Sequence, residues 1–502
     1  MTSVTQKTGV IYLLSESFLG HAPRWYKQAV AISLLLNVVV FLTLGSLAAG
    51  WLILAEFIFT LAMALKCFPL QPGGLLAFQA VILGLTDTHT VYKEIEHGLP
   101  VLLLVIFMVA GVHFLRGMLY RMISHILLGI SSRMTLNMVI IIVVSVFSAF
   151  LDALTILAIL VAVSVGFYEV YHRAVSTRGY HDDPDLTDEY VDEIHRKDLE
   201  QFRAVLRSLL MHGAIGSAIG GVCTLVGEPE NIIIGTEAGW NFGEFFFKVA
   251  PFSIPTLLAG FATCWVIEKF GWFGYGAELP AGVRQILLDE DRRLRELHSP
   301  RDRMLLVAQG VVAALMVLAL AFHVAEIGLI GLAVIVLASS ISGVTDEHHI
   351  AEAFMPGLPF ASLLMVFYVI VAMIGSLQMF NSVIQWVLTL EPKMQVFMIF
   401  LTNGALSAIS DNVFVAAIYM KELKAAFDAG FTTRELFNAQ SVAVVMGTGI
   451  PSMSTPNGQA AFLYLLTSSI APLARLGYGR MLWMALPYAV VTTAVSGFMF
   501  FS

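Results

Sequence analysis

The sequence predicts an all-α polytopic membrane protein: two inverted-topology repeats, each with five spans and one re-entrant hairpin, behind one extra N-terminal span. Three observations carry this expectation. The 502-residue chain is 58% hydrophobic and only 13% charged, with a mean hydropathy of +0.82, against about 25% charged residues in ordinary soluble domains. A motif recurs at a constant separation in the two halves. A carboxylate also stands at the same register in each half, inside an apolar run where a charge is costly.

The spans come first. Runs such as "AVAISLLLNVVVFLTLGSLAAG" (29–50) and "LLVAQGVVAALMVLALAF" (305–322) are long enough to cross a hydrocarbon core of about 30 Å. Starting inside, crossings are expected at about 28–50, 51–68, 72–85, 99–120, 208–236, 247–268, 304–325, 327–344, 357–378, 437–468 and 480–501. The apolar stretches near 135–166 and 393–420 are set apart as re-entrant hairpins. The N-terminal stretch "MTSVTQKTGVIYLLSESFLGHAPRWYK" has no positive-then-apolar-then-small pattern, so no cleaved signal is expected. Cys67, Cys223 and Cys264 lie in apolar segments with neither a disulfide framework nor a zinc spacing.

Cation placement orients these spans. Of the 28 Lys and Arg, only Lys93, Lys248, Lys393, Lys421, Lys424 and Arg434 fall on one side, so the other side, with the N-terminus, is cytoplasmic. The C-terminus then lies opposite. A single crossing by 135–166 would turn Arg116, Arg121 and Arg133 away from the basic segment 173–207, whereas a hairpin keeps them together.

The repeat is read next, since self-similarity can change the whole fold assignment. "GLTDTHTVYKEIEHGLP" (84–100) matches "GVTDEHHIAEAFMPGLP" (343–359) at an offset of 259 residues. The same offset lays "SAFLDALTILAI" (148–159) on "SAISDNVFVAAI" (407–418), so that Asp152 falls on Asp411. Asp87 and Asp346 are expected to cap an equivalent short helix in each half, with His89 matching His348. Beyond each intramembrane aspartate comes an apolar run interrupted by Pro, Gly and Asn: "TLVGEPENIIIG" (224–235) and "GTGIPSMSTPNGQAAF" (447–462). Residues 1–50 form the N-terminal cytoplasmic segment and extra span. Residues 51–268 form the first repeat, with a cytoplasmic insert at about 170–207; 269–303 a cytoplasmic linker; and 304–502 the second repeat. Five crossings per repeat is odd, so the halves are inverted, a build found in secondary transporters with substrate sites near the midplane.

The marked segments then supply chemistry. Each aspartate has a structural reading, as a cap or pair within its hairpin, and a functional one. Pro interrupts the hydrogen-bond ladder and Gly tolerates unwound backbone, which frees carbonyls to coordinate a hard cation alongside Asn, Ser and Thr oxygens. The candidate ion- and proton-binding residues are Ser148, Asp152, Thr155, Glu228, Asn231, Asp411, Asn412, Ser454, Thr455 and Asn457, with Na+ at Asp152, Asn231, Asp411 and Asn457. The marked segments contain carboxylates and no Lys or Arg, so the site attracts cations and repels anions. Desolvation favours the protonated form of a carboxylate, so one group holds either a proton or a sodium ion. "DEHH" (346–349) and "HDDPD" (181–185) read as solvated polar faces, and His212 as packing or a cap. With no P-loop or Rossmann fingerprint, no enzyme, cofactor or nucleic-acid partner is expected, and the energy must come from an ion gradient.

"SAFLDALT", "VGEPENIIIG", "GLIGLAVIVLASSISGVTDEHH", "SAISDNVFVAAI", "TPNGQAAFL" and "YGRMLWMALPY" together resemble the NhaB sodium/proton antiporters of Gram-negative bacteria, in the ion transporter superfamily. The resemblance covers essentially the whole chain. It implies electrogenic exchange of internal Na+ or Li+ for external protons at the inner membrane, in support of sodium tolerance and pH homeostasis. It also implies Asp152 as the family's functional aspartate, and a homodimer by analogy with superfamily relatives. The dicarboxylate relatives carry Ser-Asn-Thr motifs at the hairpin tips where this chain has Asp. That departure argues against the alternative, a Na+-coupled symporter of a small carboxylate or other anion.

Overall fold

The computed structural model describes residues 17–151, 153–176, 193–297, 299–380, 386–387 and 389–501, and among them there is no extended strand. The helices are α1 (Arg24–Leu44), α2 (Ser46–Ala62), α3 (Leu70–Ile82) and α4 (Thr88–His97), then α5 (Leu99–His113), which contains a π-helical turn at Leu104–Met108. They continue as α6 (Arg116–Gly129), α7 (Arg133–Ser148), α8 (Ala153–Val175), α9 (Glu193–Gly221), α10 (Pro229–Ala238), α11 (Phe242–Phe270) and α12 (Ala281–Leu297). Further along come α13 (Pro300–Ala321), α14 (Ile327–Ser342), α15 (Glu347–Phe354), α16 (Leu358–Ser376), α17 (Pro392–Ser407), α18 (Asn412–Asp428), α19 (Arg434–Gly449), α20 (Ala460–Thr467) and α21 (Tyr478–Phe501), with a single helical turn at Ile470–Leu473 before the last. Among the described residues six helices are long and apolar enough to cross a membrane, or seven if α4 and α5 are taken as one. These six are α1, α8, α11, α13, α16 and α21. The expected spans at 51–68, 72–85 and 327–344 are helices of 17, 13 and 16 residues. Those at 208–236 and 437–468 are interrupted, at the positions where Pro, Gly and Asn collect.

Local sequence sets the boundaries. Pro occupies the first turn of α10, α13 and α17, where its missing N–H costs nothing. Asn241 with Glu244 and Ser299 with Asp302 form capping boxes at α11 and α13. Gly239, Gly271 and Gly343 close α10, α11 and α14 in the left-handed conformation. Asp87 and Asp346 start α4 and α15 as expected: Asp87 accepts from the His89 and Thr90 N–H groups at 2.9 and 3.0 Å, and Asp346 from those of His348 and His349 at 3.1 and 3.3 Å.

The chain divides into two compact units, residues 1–97 with 362–382, and residues 98–361 with 383–502. In the first, α1, α2 and α3 are tied by amide and carboxylate side chains. Asn37 Nδ2 donates to Glu56 Oε2 (2.6 Å) and Gln79 Oε1 (2.9 Å), and Gln79 Nε2 donates to the Leu34 carbonyl (2.5 Å). Polar groups of this kind hold helices together where lipid gives no hydrophobic drive for association.

In the second unit the predicted cytoplasmic segments meet at one end. Arg133 reaches the Gly276 carbonyl (2.5 Å) and Glu278 (3.4 Å), and Gln201 donates to the Glu278 carbonyl (2.8 Å). Arg203 and Arg207 donate to the carbonyls of Leu473 and Ala474 at 2.9 and 2.7 Å. The linker is not a loose tether: within it α12 buries Val283 and Leu287, and Arg284 donates to the Leu128 and Ile130 carbonyls at the end of α6. Another set of contacts gathers Ala238, Trp240, Gln395, Arg434, Asn438 and Gln440. α7 thus starts beside the start of α9, and α17 beside the start of α19. α8 is 23 residues long, enough by itself to cross, although the sequence reading made it half of a hairpin.

A polar knot is buried in this unit. Glu268 Oε1 on α11 accepts from Asn137 Nδ2 on α7 (2.9 Å) and Ser208 Oγ on α9 (2.6 Å). His212 Nδ1 contacts the Ser208 carbonyl at 2.7 Å, with the ring packed edge-on against Tyr275 and Tyr488.

Candidate ion-binding site

The site is built from two helix breaks and two helix–turn–helix tips. α9 ends at Gly221 and α10 starts at Pro229; α19 ends at Gly449 and α20 starts at Ala460. Each break is fastened to one tip by a threonine. The Thr224 hydroxyl donates to the Ala149 carbonyl, and the Thr455 hydroxyl to the Ala408 carbonyl at 2.5 Å. Ala149 and Ala408 are equivalent at the offset of 259 residues. Each break also folds over a glycine. A Cβ on Gly227 would sit 2.3 Å from the Gly221 carbonyl oxygen, and one on Gly458 would sit 2.4 Å from that of Ser452 and 2.7 Å from that of Ser407. No other residue fits such an approach.

In each break a side-chain amide reaches back to a carbonyl at the end of the preceding helix. Asn231 Nδ2 donates to Gly221 O (2.9 Å) and Thr224 O (2.7 Å). Gln459 Nε2 donates to Gly449 O (3.0 Å) and Ser452 Oγ (3.0 Å), the same ten and seven residues back. Sequence comparison sets Asn231 against Asn457, but the residue that makes the equivalent bonds is Gln459. Asn457 and Ser454 are half-buried on the connecting turn, and Thr455 is committed to Ala408.

At the tips, Asp152 lies outside the described residues, between the buried Leu151 and Ala153. Ser148 donates to the Ser217 carbonyl (2.9 Å), stapling α7 to α9, and Thr155 is buried in the first turn of α8. Asp411 caps α18: its Oδ1 accepts from the Val413 and Phe414 N–H groups at 2.9 and 3.3 Å, and Oδ2 makes no hydrogen bond among the described residues. The structural role weighed for Asp411 is therefore present, but it uses one oxygen of two. Asn412 Nδ2 donates to Glu230 Oε1 (3.0 Å) and Ser452 Oγ (3.4 Å), joining the second tip to both breaks. Glu228, at the N-cap position of α10, is buried against Gly221. Glu230, also buried, is absent from the sequence-derived set. Its signal was present as the second acid of "GEPEN", but nothing in the sequence paired it with a residue 182 positions away.

The breaks and tips interlock across the halves, since α10 packs on α18 and α20 packs on α8. Glu228, Glu230 and Asp411 line these elements without a lysine or arginine in the breaks or tips, so the electrostatics favour a cation. "DEHH" is a helix cap, not a cluster: hydrogen bonds from the His348 N–H and the His349 ring hold the Asp346 carboxyl below its ordinary range. "HDDPD" (181–185) lies outside the described residues.

Helices interrupted around buried carboxylates, in a multi-pass helical membrane protein, define a secondary ion transporter. The chain belongs to the family described as bacterial Na+/H+ antiporter B (NhaB), whose sequence model matches residues 7–501. It is 52% identical over 478 residues to the Na+/H+ antiporter NhaB of Pseudomonas fluorescens (strain Pf0-1), covering 95% of this chain and 96% of that protein. It is 53% identical over 480 residues to that of Saccharophagus degradans (95% and 96% covered), and 51% identical over 494 residues to that of Marinobacter nauticus (98% and 99% covered).

Proposed function

We propose that this chain exchanges Na+ for H+ by competition of the two ions for intramembrane carboxylates, with access alternating between the two sides of the membrane. Sodium/proton antiport by a multi-pass protein of the bacterial inner membrane follows from membership of the family. Facing inward, Asp152 and Asp411 give up protons and take Na+, with Asn231, Asn412, Ser454, Thr455 and Asn457 supplying further oxygens and Ser148, Thr155 and Glu228 shaping the pocket. Facing outward, protons displace the sodium. The observation that carries this is Asp411: a carboxylate at the second tip, with one oxygen fixed by the α18 N–H groups and the other without a hydrogen bond among the described residues.

The exchange is electrogenic in this reading, accepts Li+, and serves pH homeostasis. The N-terminus lies in the cytoplasm and the C-terminus in the periplasm. The inverted repeats, with boundaries at 51–268 and 304–502, put the two aspartates on opposite hairpins. The Arg133–Glu278 and Gln201–Glu278 contacts favour a first hairpin that returns to the side it left. A homodimer embedded in lipid is the assembly we adopt. The symport alternative is disfavoured by the buried acids, which repel an anion.

The test is Na+/H+ exchange in proteoliposomes of the full chain. Asp152→Asn is expected to abolish Na+-driven proton movement while expression and elution profile stay as in wild type. Unimpaired exchange by that variant would overturn the assignment.

A further inference from the structure

Glu230, which lies outside the candidate ion ligands, orients one of them. Ionised, its carboxylate accepts hydrogen bonds and donates none, which holds the NH2 group of Asn412 toward it: Nδ2 donates to Glu230 Oε1 at 3.0 Å. Ser452 Oγ takes the same Nδ2 at 3.4 Å. The amide oxygen is thereby turned the other way. Asn412 is 6% exposed, and its Oδ1 is buried without a hydrogen-bond partner among the described residues. A buried polar atom left unmet calls for a reason. A bare amide oxygen beside Asp411, in a site that attracts cations, has one: hard cations take oxygen ligands.

The arrangement also occurs only once. At the offset of 259 residues Asn412 corresponds to Ala153; aligning the breaks on Thr224 with Thr455 and Gly227 with Gly458 sets Glu230 on Ala461, and aligning them on the amides Asn231 and Gln459 sets it on Gly458, so neither gives an acid. Ala153 and Ala461 are both buried, on the packed helices α8 and α20. The two halves share an aspartate, a threonine fastening and a backbone-binding amide, but only one has a carboxylate-oriented asparagine.

We propose that Glu230 is a positioning residue for Na+ binding: it holds the Asn412 amide with its oxygen toward the ion, so that the Asp411 half supplies an oriented amide oxygen that the Asp152 half lacks. The proposal rests on the antiport reading above. Oxygen ligands held by a supporting hydrogen bond lose about 10- to 100-fold in ion affinity when that support is removed. Glu230→Gln no longer dictates which end of the amide faces it. In proteoliposomes its half-saturating Na+ concentration should rise by about tenfold or more, with the maximal exchange rate at saturating Na+ near that of wild type.

The double variant Glu230→Gln/Asn412→Asp restores one donor and one acceptor with the charge moved across the bond. It should bring half-saturation back toward wild type, which a general packing defect at Glu230 would not permit. Ser452→Ala, a milder loss of the second acceptor, should shift Na+ half-saturation in the same direction and by less; it gives a reading if Glu230→Gln fails to fold. Unchanged half-saturation in Glu230→Gln, or in Ser452→Ala where only that variant folds, overturns the proposal. So does loss of exchange at all Na+ concentrations in a folded Glu230→Gln that the double variant does not restore, because Glu230 would then carry the ion itself. Asp411→Asn is measured alongside: full exchange by that variant refutes the site reading, whatever Glu230 does.

Discussion

Asp411 separates capping from ion binding within one side chain. Asn caps a helix about as well as Asp, whereas Ala forfeits about 1 kcal/mol. Asp411→Asn should therefore melt close to wild type in detergent but exchange poorly, while Asp411→Ala should lose both stability and exchange. Equal melting of the two variants would mean that the bonds to Val413 and Phe414 contribute little. The aspartate itself was legible in the sequence, because a charge in an apolar run announces itself. What it touches was not: one residue type serves as cap, ligand or both, and only the oxygen-by-oxygen account distinguishes them. Asn231 teaches the same lesson. Its amide is spent on Gly221 and Thr224, so its contribution to the ion falls to Oδ1.

At the scale of elements, the breaks were the most readable feature, because Pro and Gly interrupt helices for steric reasons that hold in any environment. Their internal geometry sets a sharper expectation. Gly458 approaches backbone on two sides, from Ser452 and Ser407. A methyl there must displace main chain, and overpacking of that kind costs about 1–3 kcal/mol. Gly458→Ala should lower the melting temperature and impair exchange, whereas Gly129→Ala, with open space around it, should do neither. Identical behaviour of the two would count against the tight turn. The helix in the linker was foreshadowed by Val283 and Leu287, one turn apart, yet a mixed-charge segment between repeats reads as a tether until Arg284 is seen gripping the end of α6. The π-turn at Leu104–Met108 has no Pro or Gly to mark it.

At the scale of the molecule, buried polar ties were the least legible layer, since Asn37, Glu56, Gln79, Asn137, His212 and Glu268 each sit singly in sequence and acquire meaning only across helices. Glu268 joins α7, α9 and α11 with both neighbours donating to one oxygen. Removing it leaves the Asn137 and Ser208 donors buried without a partner, at about 1–3 kcal/mol for each unmet group. Glu268→Ala should therefore destabilise the second unit in thermal unfolding, while the surviving folded protein keeps the wild-type half-saturation for Na+. A shift in half-saturation without loss of stability would move Glu268 from the frame into the ion path.

Topology is the other property that belongs to the whole chain, and it turns on α8. As a 23-residue apolar helix it meets the length for a crossing; as a hairpin arm it returns the chain to the side it left. The two readings place 193–207 on opposite faces of the membrane relative to 116–133. Arg133 and Gln201, from segments on either side of α7–α8, both reach Glu278, which favours the return, as does the bias of Lys and Arg to the cytoplasmic side. The measurement is labelling of single cysteines by a membrane-impermeant thiol reagent, with Cys67, Cys223 and Cys264 replaced. Cysteines at Gly129 and at Glu200 should both react in inside-out vesicles and both be protected in right-side-out vesicles. Labelling of the two from opposite sides would make α7–α8 a net crossing, reverse the orientation of every later span, and bring the two aspartates to tips that open on the same side.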